Sequence, residues 1–282
     1  YELFFEDAEC VSRELELTLT GKSCGLDERV PMCGVPYHAV KGYLEKLVNK
    51  GYRVAICEQL EDPKDVKGTV KRGVVDVISK GTITDYELLD ERNNSYIGSL
   101  LEFSDIGVLT LCDISTGELK SISIENNINS IVNEILNNGV KELILLNNEN
   151  TFLIDLLKNN YGIDICFSDM YLDKYEEVLS SLTDPRSKAG VKHLFYYLVK
   201  KYLKDLSHIS ECVEVKKVDY LYMDVHTVRN LELVETLRLK ERTYSLIWIL
   251  DKCRTAMGSR KLKSWLLNPI KNIDVLNDRY NK

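Results

Sequence analysis

The sequence has no apolar run that approaches the roughly 20 residues needed to cross a bilayer. Its opening stretch, residues 1–5, is apolar and aromatic, but acidic residues at positions 2, 6 and 7 interrupt it and no basic segment precedes it. A secretory signal peptide is therefore not expected. Internal repeats and low-complexity segments are also missing, and 44% hydrophobic with 29% charged residues is typical of a soluble globular protein. The 282 residues suffice for about two domains, or for three small ones.

Closely spaced cysteine pairs are likewise missing. The eight cysteines are scattered without a C-x-x-C pair, so a zinc site is not expected. An even number could form disulfides in a secreted protein. However, Cys57 and Cys112 lie in apolar runs, which favours small buried thiols in a reducing compartment. We therefore expect a cytoplasmic protein.

The net charge of −7 argues at first against a nucleic-acid partner, but the charge is unevenly distributed. Residues 84–183 hold 5 Lys and Arg against 18 Asp and Glu, whereas residues 216–282 hold 14 against 8. The acid is thus concentrated in a central segment and the C-terminal part is basic. The average over the chain hides surfaces of opposite sign, and nucleic-acid binding stays open.

Residues 1–83 predict a small α/β unit with a mixed sheet. Apolar residues at helical spacing alternate with short runs of strand-like pattern, and glycines and polar stretches separate them. A polar, acidic segment at 81–94 predicts the first domain boundary. The predicted elements are a strand at 2–5, a helix at 7–19, a loop or hairpin at 21–29, a helix at 37–49, and strands at 52–59 and 70–79.

Residues 84–205 predict a ribonuclease-H-like α/β domain, because three strand-like runs are followed by alternating helices and strands. The strands are predicted at 96–103, 107–114, 118–124, 142–146 and 164–167, and the helices at 128–137, 152–159, 171–182 and 188–206. Residues 206–282 predict the start of an all-helical domain. There Asp224 and Asn272 are predicted helix caps, and the sequence ends within an apparent helix, which suggests a fragment.

Several motifs resemble the MutS family of bacterial DNA mismatch repair proteins. YELFFEDA, LELTLTGK, PMCGVPYHA and KLVNKGYRVAICEQLEDP match the mismatch-recognition domain of that family. LCDISTGEL resembles its connector domain, and MDVHTVRNLELVETL with AMGSRKLKSWLLNPI resembles the start of its helical core or lever domain. The resemblance covers essentially the whole chain and is most specific in residues 1–62.

The resemblance implies an α/β multidomain protein with three parts: a mismatch-recognition domain at 1–83, a connector at 84–205 and the start of the helical core at 206–282. The implied ligand is double-stranded DNA with mismatches or small loops. The family acts as a dimer with a MutL-type repair partner and without a membrane. Its ATPase, which uses ATP and Mg, lies downstream, so no cofactor and no catalytic activity are expected of these residues alone.

The resemblance also implies which residues contact DNA. In the family pattern Phe-x-Glu, a phenylalanine wedges beside the mispaired base and the glutamate hydrogen-bonds that base. Glu2 matches the glutamate, and the phenylalanine would come immediately before Tyr1. Lys22 matches a basic loop position that approaches the DNA backbone. Pro31 and Met32 match a loop along the minor groove, which Tyr37 and His38 would support. Independently of the resemblance, Arg72 ends a cationic run, with Lys64, Lys67 and Lys71, that could contact phosphates, although a solvated face is the commoner meaning of such a run.

Two other functional interpretations stay open on the sequence. A nuclease of the ribonuclease-H type could use Asp113, although metal-dependent cleavage needs several converging carboxylates and Asp113 fits a turn-facing residue better. Alternatively, the acidic middle domain could dock repair partners without DNA contact. A nucleotide site at Gly21-Lys22-Ser23 is not expected, because a P-loop needs glycine where this chain has Glu16.

Overall fold

The structure is a computed structural model that describes residues 1–25, 28–62, 64, 68–82, 94–147, 150–215 and 220–281. The chain forms two compact units, Tyr1–Lys80 and Gly81–Lys282. Most of the segment predicted as the first boundary lies outside the described residues. In the described part of the chain, no helix combines the length and the apolar character that a membrane crossing requires.

The first unit contains two small antiparallel sheets. β1 (Glu2–Phe4) and β2 (Thr20–Lys22) both pair antiparallel with β3 (Val30–Gly34), in the order β1-β3-β2. β4 (Val54–Gln59) pairs antiparallel with β5 (Arg72–Ile78). The predicted mixed sheet is therefore wrong: β4 pairs with the strand that follows it and not with β3, so no parallel pair arises among the described residues of this unit.

Two helices accompany these sheets. α1 (Phe5–Glu14) packs Ala8 and Val11 against Cys33 of β3. After a 3-10 turn at Tyr37–Ala39, α2 (Val40–Asn49) contributes Leu47 to the same core. α1 was predicted to reach position 19 but ends five residues earlier. The chain turns there because Glu16 adopts a left-handed conformation, with φ 56°.

The second unit is built on a six-stranded sheet. β6 (Tyr96–Glu102), β7 (Ile106–Asp113) and β8 (Glu118–Glu125) are antiparallel, β9 (Val140–Leu145) is parallel to β6, and β10 (Asp164–Phe167) is parallel to β9. A short strand that the sequence did not predict, β11 (Val213–Val215), pairs parallel with β8. The strand order is β10-β9-β6-β7-β8-β11.

Helices cover both faces of this sheet, which explains why β6 and β7 are buried along almost their whole length. α3 (Ile128–Asn137) and α4 (Thr151–Asp155), the latter followed by a π-helical turn at Leu156–Asn160, pack on one face. α6 (Pro185–Tyr196), followed by a π-helical turn at Tyr197–Lys201, packs on the other face, where Gly190 lies against β7.

One predicted helix in this unit is largely wrong. Of residues 171–182, only α5 (Glu176–Ser180) is helical. Tyr175 is left-handed, with φ 65°, and the N–H of Leu172 donates to the carbonyl of Lys192 in α6. The segment before α5 therefore bonds to α6 instead of forming a helix of its own.

Beyond position 220 the described residues form helices and one isolated bridge, between Tyr220 and Ile270. The helices are α7 (Val225–Asn230), α8 (Leu246–Leu250), α9 (Ala256–Leu267) and α10 (Ile273–Tyr280). The predicted caps are confirmed, since Asp224 accepts from the N–H of Thr227 and Asn272 from those of Asp274 and Val275. The side chain of Asn133 on α3 donates to the Tyr222 hydroxyl at 2.6 Å, which ties this segment to the six-stranded sheet.

All eight cysteines are free thiols. Cys112 is buried, as predicted, in the middle of the second unit. The prediction that Cys57 is buried is wrong, because its side chain is exposed on β4. In a two-stranded ribbon one face stays open to solvent, so an apolar run there does not imply burial.

Candidate nucleic-acid interface

One face of the three-stranded sheet of the first unit is partly open to solvent, with Val30 buried at its end, and the strand register determines which side chains lie there. Directly paired residues share a face, and the face changes at every residue along a strand. Leu3 and Cys33 pair with each other and join the core beside α1. The opposite face, which we call the outer face, therefore carries Glu2, Phe4, Thr20, Lys22, Val30, Met32 and Gly34.

The sequence-predicted site residues fall on this register as follows. Glu2, Lys22 and Met32 lie together on the outer face, whereas Pro31 alternates to the other face. The prediction that Pro31 and Met32 belong to a loop is wrong, since both lie in the central strand β3. A proline is tolerated there because Pro31 pairs with Gly21 of β2 but lies beyond the last paired residue of β1, so it is flanked on one side only.

Glu2 and Lys22 form an ion pair across the outer face. The Lys22 Nζ lies 2.7 Å from the Glu2 carboxylate and 5.4 Å from the centre of the Phe4 ring. Both side chains are about half exposed, at 45% for Glu2 and 46% for Lys22. The hydrogen bond from Lys22 lowers the pKa of Glu2, and the charges of Lys22, of the terminal amino group and of Arg72 add to this effect in that order. Glu2 is thus held ionised within a locally cationic surface.

Arg72 stands at the start of β5, where it is exposed and pairs with Gln59. Its charge is the smallest of the contributions that lower the pKa of Glu2, after the hydrogen bond and charge of Lys22 and the charge of the terminal amino group, so Arg72 acts on Glu2 through its charge only. Lys64 and Lys71 of the cationic run are exposed, and Lys67 lies outside the described residues. Cations therefore lie on the same unit as Glu2, as phosphate contact requires.

A polar contact that sequence reasoning missed anchors the residue before Glu2. The Tyr1 hydroxyl donates to the carboxylate of Glu58 on β4, and the Tyr1 ring stacks on Tyr37 with centres 5.6 Å apart and 18° between the planes. The hydrogen bond to Glu58 raises the pKa of Tyr1 to about 12. The alternating pattern of β4 could have predicted a partner for Glu58. It places this carboxylate at an inward position, where an acidic residue needs a hydrogen-bond donor.

Close backbone approach at Gly34 accompanies this anchoring. The N–H of Val35 donates to the carbonyl of Tyr1 at 2.9 Å. A Cβ atom on Gly34 would lie 3.1 Å from that same carbonyl and 4.0 Å from Cγ of Glu2. Gly34 therefore keeps the position opposite Glu2 free of a side chain.

His38 is exposed, and Tyr37 is 75% exposed although it stacks on Tyr1. Tyr37 therefore contacts Tyr1, the neighbour of Glu2. Among the described interactions, none joins His38 to Tyr1 or Glu2.

The Asp113 carboxylate, which a nuclease would need, is hydrogen-bonded by the turn after β7 and by the residues just before β6. Asp113 is buried, and its oxygens accept four hydrogen bonds: from the backbone and hydroxyl of Ser115, from the side chain of Asn94 and from the backbone of Ser95. The predicted turn-facing role is confirmed. Within the described ranges, no group of three or more His, Cys, Asp or Glu side chains is arranged to hold a metal ion.

The Gly-Lys-Ser tripeptide does not fit a nucleotide phosphate. Gly21 and Lys22 lie in β2, which pairs with β3, and no helix begins after Ser23 among the described residues of this segment. The Lys22 ammonium group is engaged by Glu2. A P-loop needs a glycine-rich loop that leads into a helix N-terminus, so these residues cannot cradle ATP.

Comparison with known proteins gives matches to one family along the chain. The family model described as MutS domain I matches residues 1–87, and the one described as MutS domain III matches residues 226–282. A DNA mismatch repair protein MutS of Listeria welshimeri is 42% identical over 274 residues, which is 96% of this chain and 32% of that protein. The MutS of Clostridium novyi is 38% identical over 291 residues, and that of Staphylococcus epidermidis 41% over 284; each match spans 100% of this chain and 32% of the relative. The chain thus spans about a third of the length of the curated relatives it matches.

Proposed function

Since the chain belongs to the MutS family of DNA mismatch repair proteins, we propose that it recognises mispaired or unpaired bases in double-stranded DNA. In this proposal residues 1–83 read the DNA from the minor groove with the outer face of the three-stranded sheet. The observation that carries the proposal is a single carboxylate, Glu2, held ionised on an exposed sheet face beside Lys22 and Arg72.

The chemistry of a mismatch explains why such a face discriminates. A mispaired step stacks poorly and kinks easily, so opening the minor groove there costs less than at a paired step. A carboxylate facing DNA is otherwise unfavourable, because it is repelled by the phosphates. It becomes favourable where a base offers it a hydrogen-bond donor. A displaced base exposes the donors of its pairing edge, whereas a paired duplex offers only the guanine 2-amino group in the minor groove. Arg72 and the exposed Lys64 and Lys71 supply an attraction to the backbone that is independent of sequence.

The remaining residues of the chain would carry the signal. We propose that residues 84–205 are the connector with a ribonuclease-H-like fold and that residues 206–282 begin the helical core. Three antiparallel strands followed by two parallel ones, with helices on both sheet faces, support the first assignment. The match of residues 226–282 to MutS domain III supports the second. We place the whole protein in the cytoplasm. Its dimerisation, its contact with a MutL-type partner and its ATP- and Mg-dependent step would involve residues outside this chain.

Binding to mismatched and matched duplexes tests the proposal. The chain is prepared with a phenylalanine placed directly before Tyr1, which completes the Phe-x-Glu pattern, and affinities are measured by fluorescence anisotropy. We expect a preference for the mismatched duplex that Glu2→Ala reduces. Glu6→Ala is the matched control, because Glu6 is exposed on the first turn of α1 and makes the same change in charge away from the outer face. Equal affinity for the two duplexes, together with no effect of Glu2→Ala, would show that this face does not read DNA.

A further inference from the structure

The ion pair between Glu2 and Lys22 spans the whole width of the three-stranded sheet. Glu2 pairs with Gly34 on one side of β3, and Lys22 pairs with Val30 on the other side. The lysine side chain must therefore reach over the central strand, past the Phe4 ring, to meet the carboxylate. Of the seven outer-face positions, these two alone are charged, so each is the other's nearest opposite charge on that face.

We propose that Lys22 is a specificity-determining residue that exchanges partners: it stays on Glu2 when the DNA is fully paired and moves to a backbone phosphate when a displaced base takes its place on Glu2. This proposal rests on the proposed function. It differs from a plain phosphate contact, in which a lysine would bind every duplex alike.

The exchange follows from the charges on the outer face. Against a paired duplex the pairing edges of the bases are engaged, and only the guanine 2-amino group offers a donor in the minor groove. Away from guanine, a carboxylate without Lys22 would therefore face the phosphates uncompensated. Lys22 therefore stays on Glu2, and the pair adds nothing to the attraction for the backbone. At a mismatch the displaced base hydrogen-bonds Glu2, and the lysine, with a side chain long enough to cross the sheet, becomes available to a phosphate beside the same step.

The exposure of the pair sets the cost of the exchange. Both side chains are about half exposed. Ion pairs of this kind change the equilibrium constant for folding by roughly fivefold or less. The pair is thus weak enough to break on each encounter with a mismatch. A new bond from Lys22 to one phosphate has a measurable signature, because each neutralised phosphate adds about −0.9 to the slope of log affinity against log salt concentration.

Salt titration of binding tests the exchange. With the chain carrying phenylalanine before Tyr1, the slope for mismatched DNA should be steeper than the slope for matched DNA by about 0.9. Lys22→Met should remove this difference by lowering the mismatched slope alone. Lys50→Met is the matched control, since Lys50 makes an ion pair of the same length with Glu14, is 47% exposed, and lies off the outer face. It should leave the difference intact.

The other outcomes overturn the proposal. If Lys22→Met lowers both slopes equally, Lys22 is a plain phosphate contact; if it lowers neither, Lys22 does not reach DNA. If the unsubstituted chain prefers mismatched DNA but its two slopes are equal, the exchange fails while the proposed function stands. If it has no preference at all, both fail. A measurement on the free protein checks the starting state: Lys22→Met should raise the pKa of Glu2, followed by NMR, and an unchanged pKa would show that the pair does not form.

Discussion

Asp251 is a carboxylate of the helical segment with several donors around it, and its removal should loosen that segment measurably. It follows α8, and its side chain is only 1% exposed. It accepts hydrogen bonds from the hydroxyl of Ser259 at 2.6 Å and the N–H of Cys253 at 3.0 Å, and it pairs with the guanidinium group of Arg242. These contacts join the loop before α8, the loop after it and the start of α9.

The substitution Asp251→Asn keeps the shape of this side chain and removes its charge. Removing one partner of a buried ion pair costs about 3–5 kcal/mol. Arg242 is 33% exposed and can be rehydrated, and the amide oxygen of the new side chain can still accept from the N–H of Cys253. We therefore expect a loss of about 2–3 kcal/mol in the free energy of unfolding at neutral pH.

The assay follows from the position of the tryptophans. The only two in the chain, Trp248 and Trp265, lie on α8 and α9, on either side of Asp251. Urea unfolding followed by tryptophan fluorescence therefore reports on this segment selectively. Asp278→Asn, an exposed change of the same kind on α10, is the control and should shift the free energy of unfolding by less than about 0.5 kcal/mol.

The pH dependence gives the prediction a second check. The hydrogen bonds from Ser259, Cys253 and Arg242 hold the pKa of Asp251 well below its usual range. Its contribution to stability is therefore fully present above the ordinary aspartate pKa of about 4 and is lost as the pH falls toward the folded-state value. The difference between the unsubstituted chain and Asp251→Asn should shrink below about pH 4. If Asp251→Asn is as stable as Asp278→Asn, or if the difference does not change in acid, the contacts of Asp251 do not stabilise the segment.

Two further substitutions test other contacts. Gly190→Ala should destabilise the second unit by about 1–3 kcal/mol in urea unfolding, because the new Cβ would collide with the Thr110 hydroxyl oxygen. In a Thr110→Ala background most of this cost should disappear. An unchanged cost would contradict the proposed clash. Tyr1→Phe keeps the ring but removes the donor to Glu58, so the first unit should lose roughly 1 kcal/mol in the free energy of unfolding at about pH 8. Since the pKa of Tyr1 is raised to about 12, this contribution is present below the ordinary tyrosine pKa of about 10 and should vanish as the pH rises toward the folded-state value; equal stability of the two proteins near neutral pH would refute it.

The elements that the sequence predicted well are those whose periodicity is strong and local. β6 and β7 are mainly apolar runs bounded by turn residues, and α3 has apolar residues at helical spacing, so their predicted positions agree with the structure to within a few residues. β11 was missed because three residues of an edge strand carry no measurable period. The end of α1 and the start of α5 were missed because Glu16 and Tyr175 adopt left-handed conformations that residue type alone does not indicate.

The candidate site, too, was predicted only in part from the sequence. Glu2 and Lys22 were found from the resemblance to the MutS family, and Arg72 from the cationic run that it ends. The mutual placement of Glu2 and Lys22 was not predicted, because it depends on the register of three strands whose pairing is set by the tertiary fold. Met32 was assigned to a loop from the resemblance to the family, and only the pairing of β3 shows that it belongs to the outer face.

Photo-crosslinking tests most directly whether the outer face reads the mismatch. A photoreactive thymine is placed at a mispaired position in one duplex and at the same position, fully paired, in another. The chain with phenylalanine before Tyr1 is irradiated with each, and the crosslinked peptides are identified by mass spectrometry. The account predicts crosslinks from the mispaired thymine to the peptides that contain Glu2 and Met32, with few from the paired thymine. Equal crosslinking by both duplexes, or crosslinks confined to residues 94–281, would contradict it.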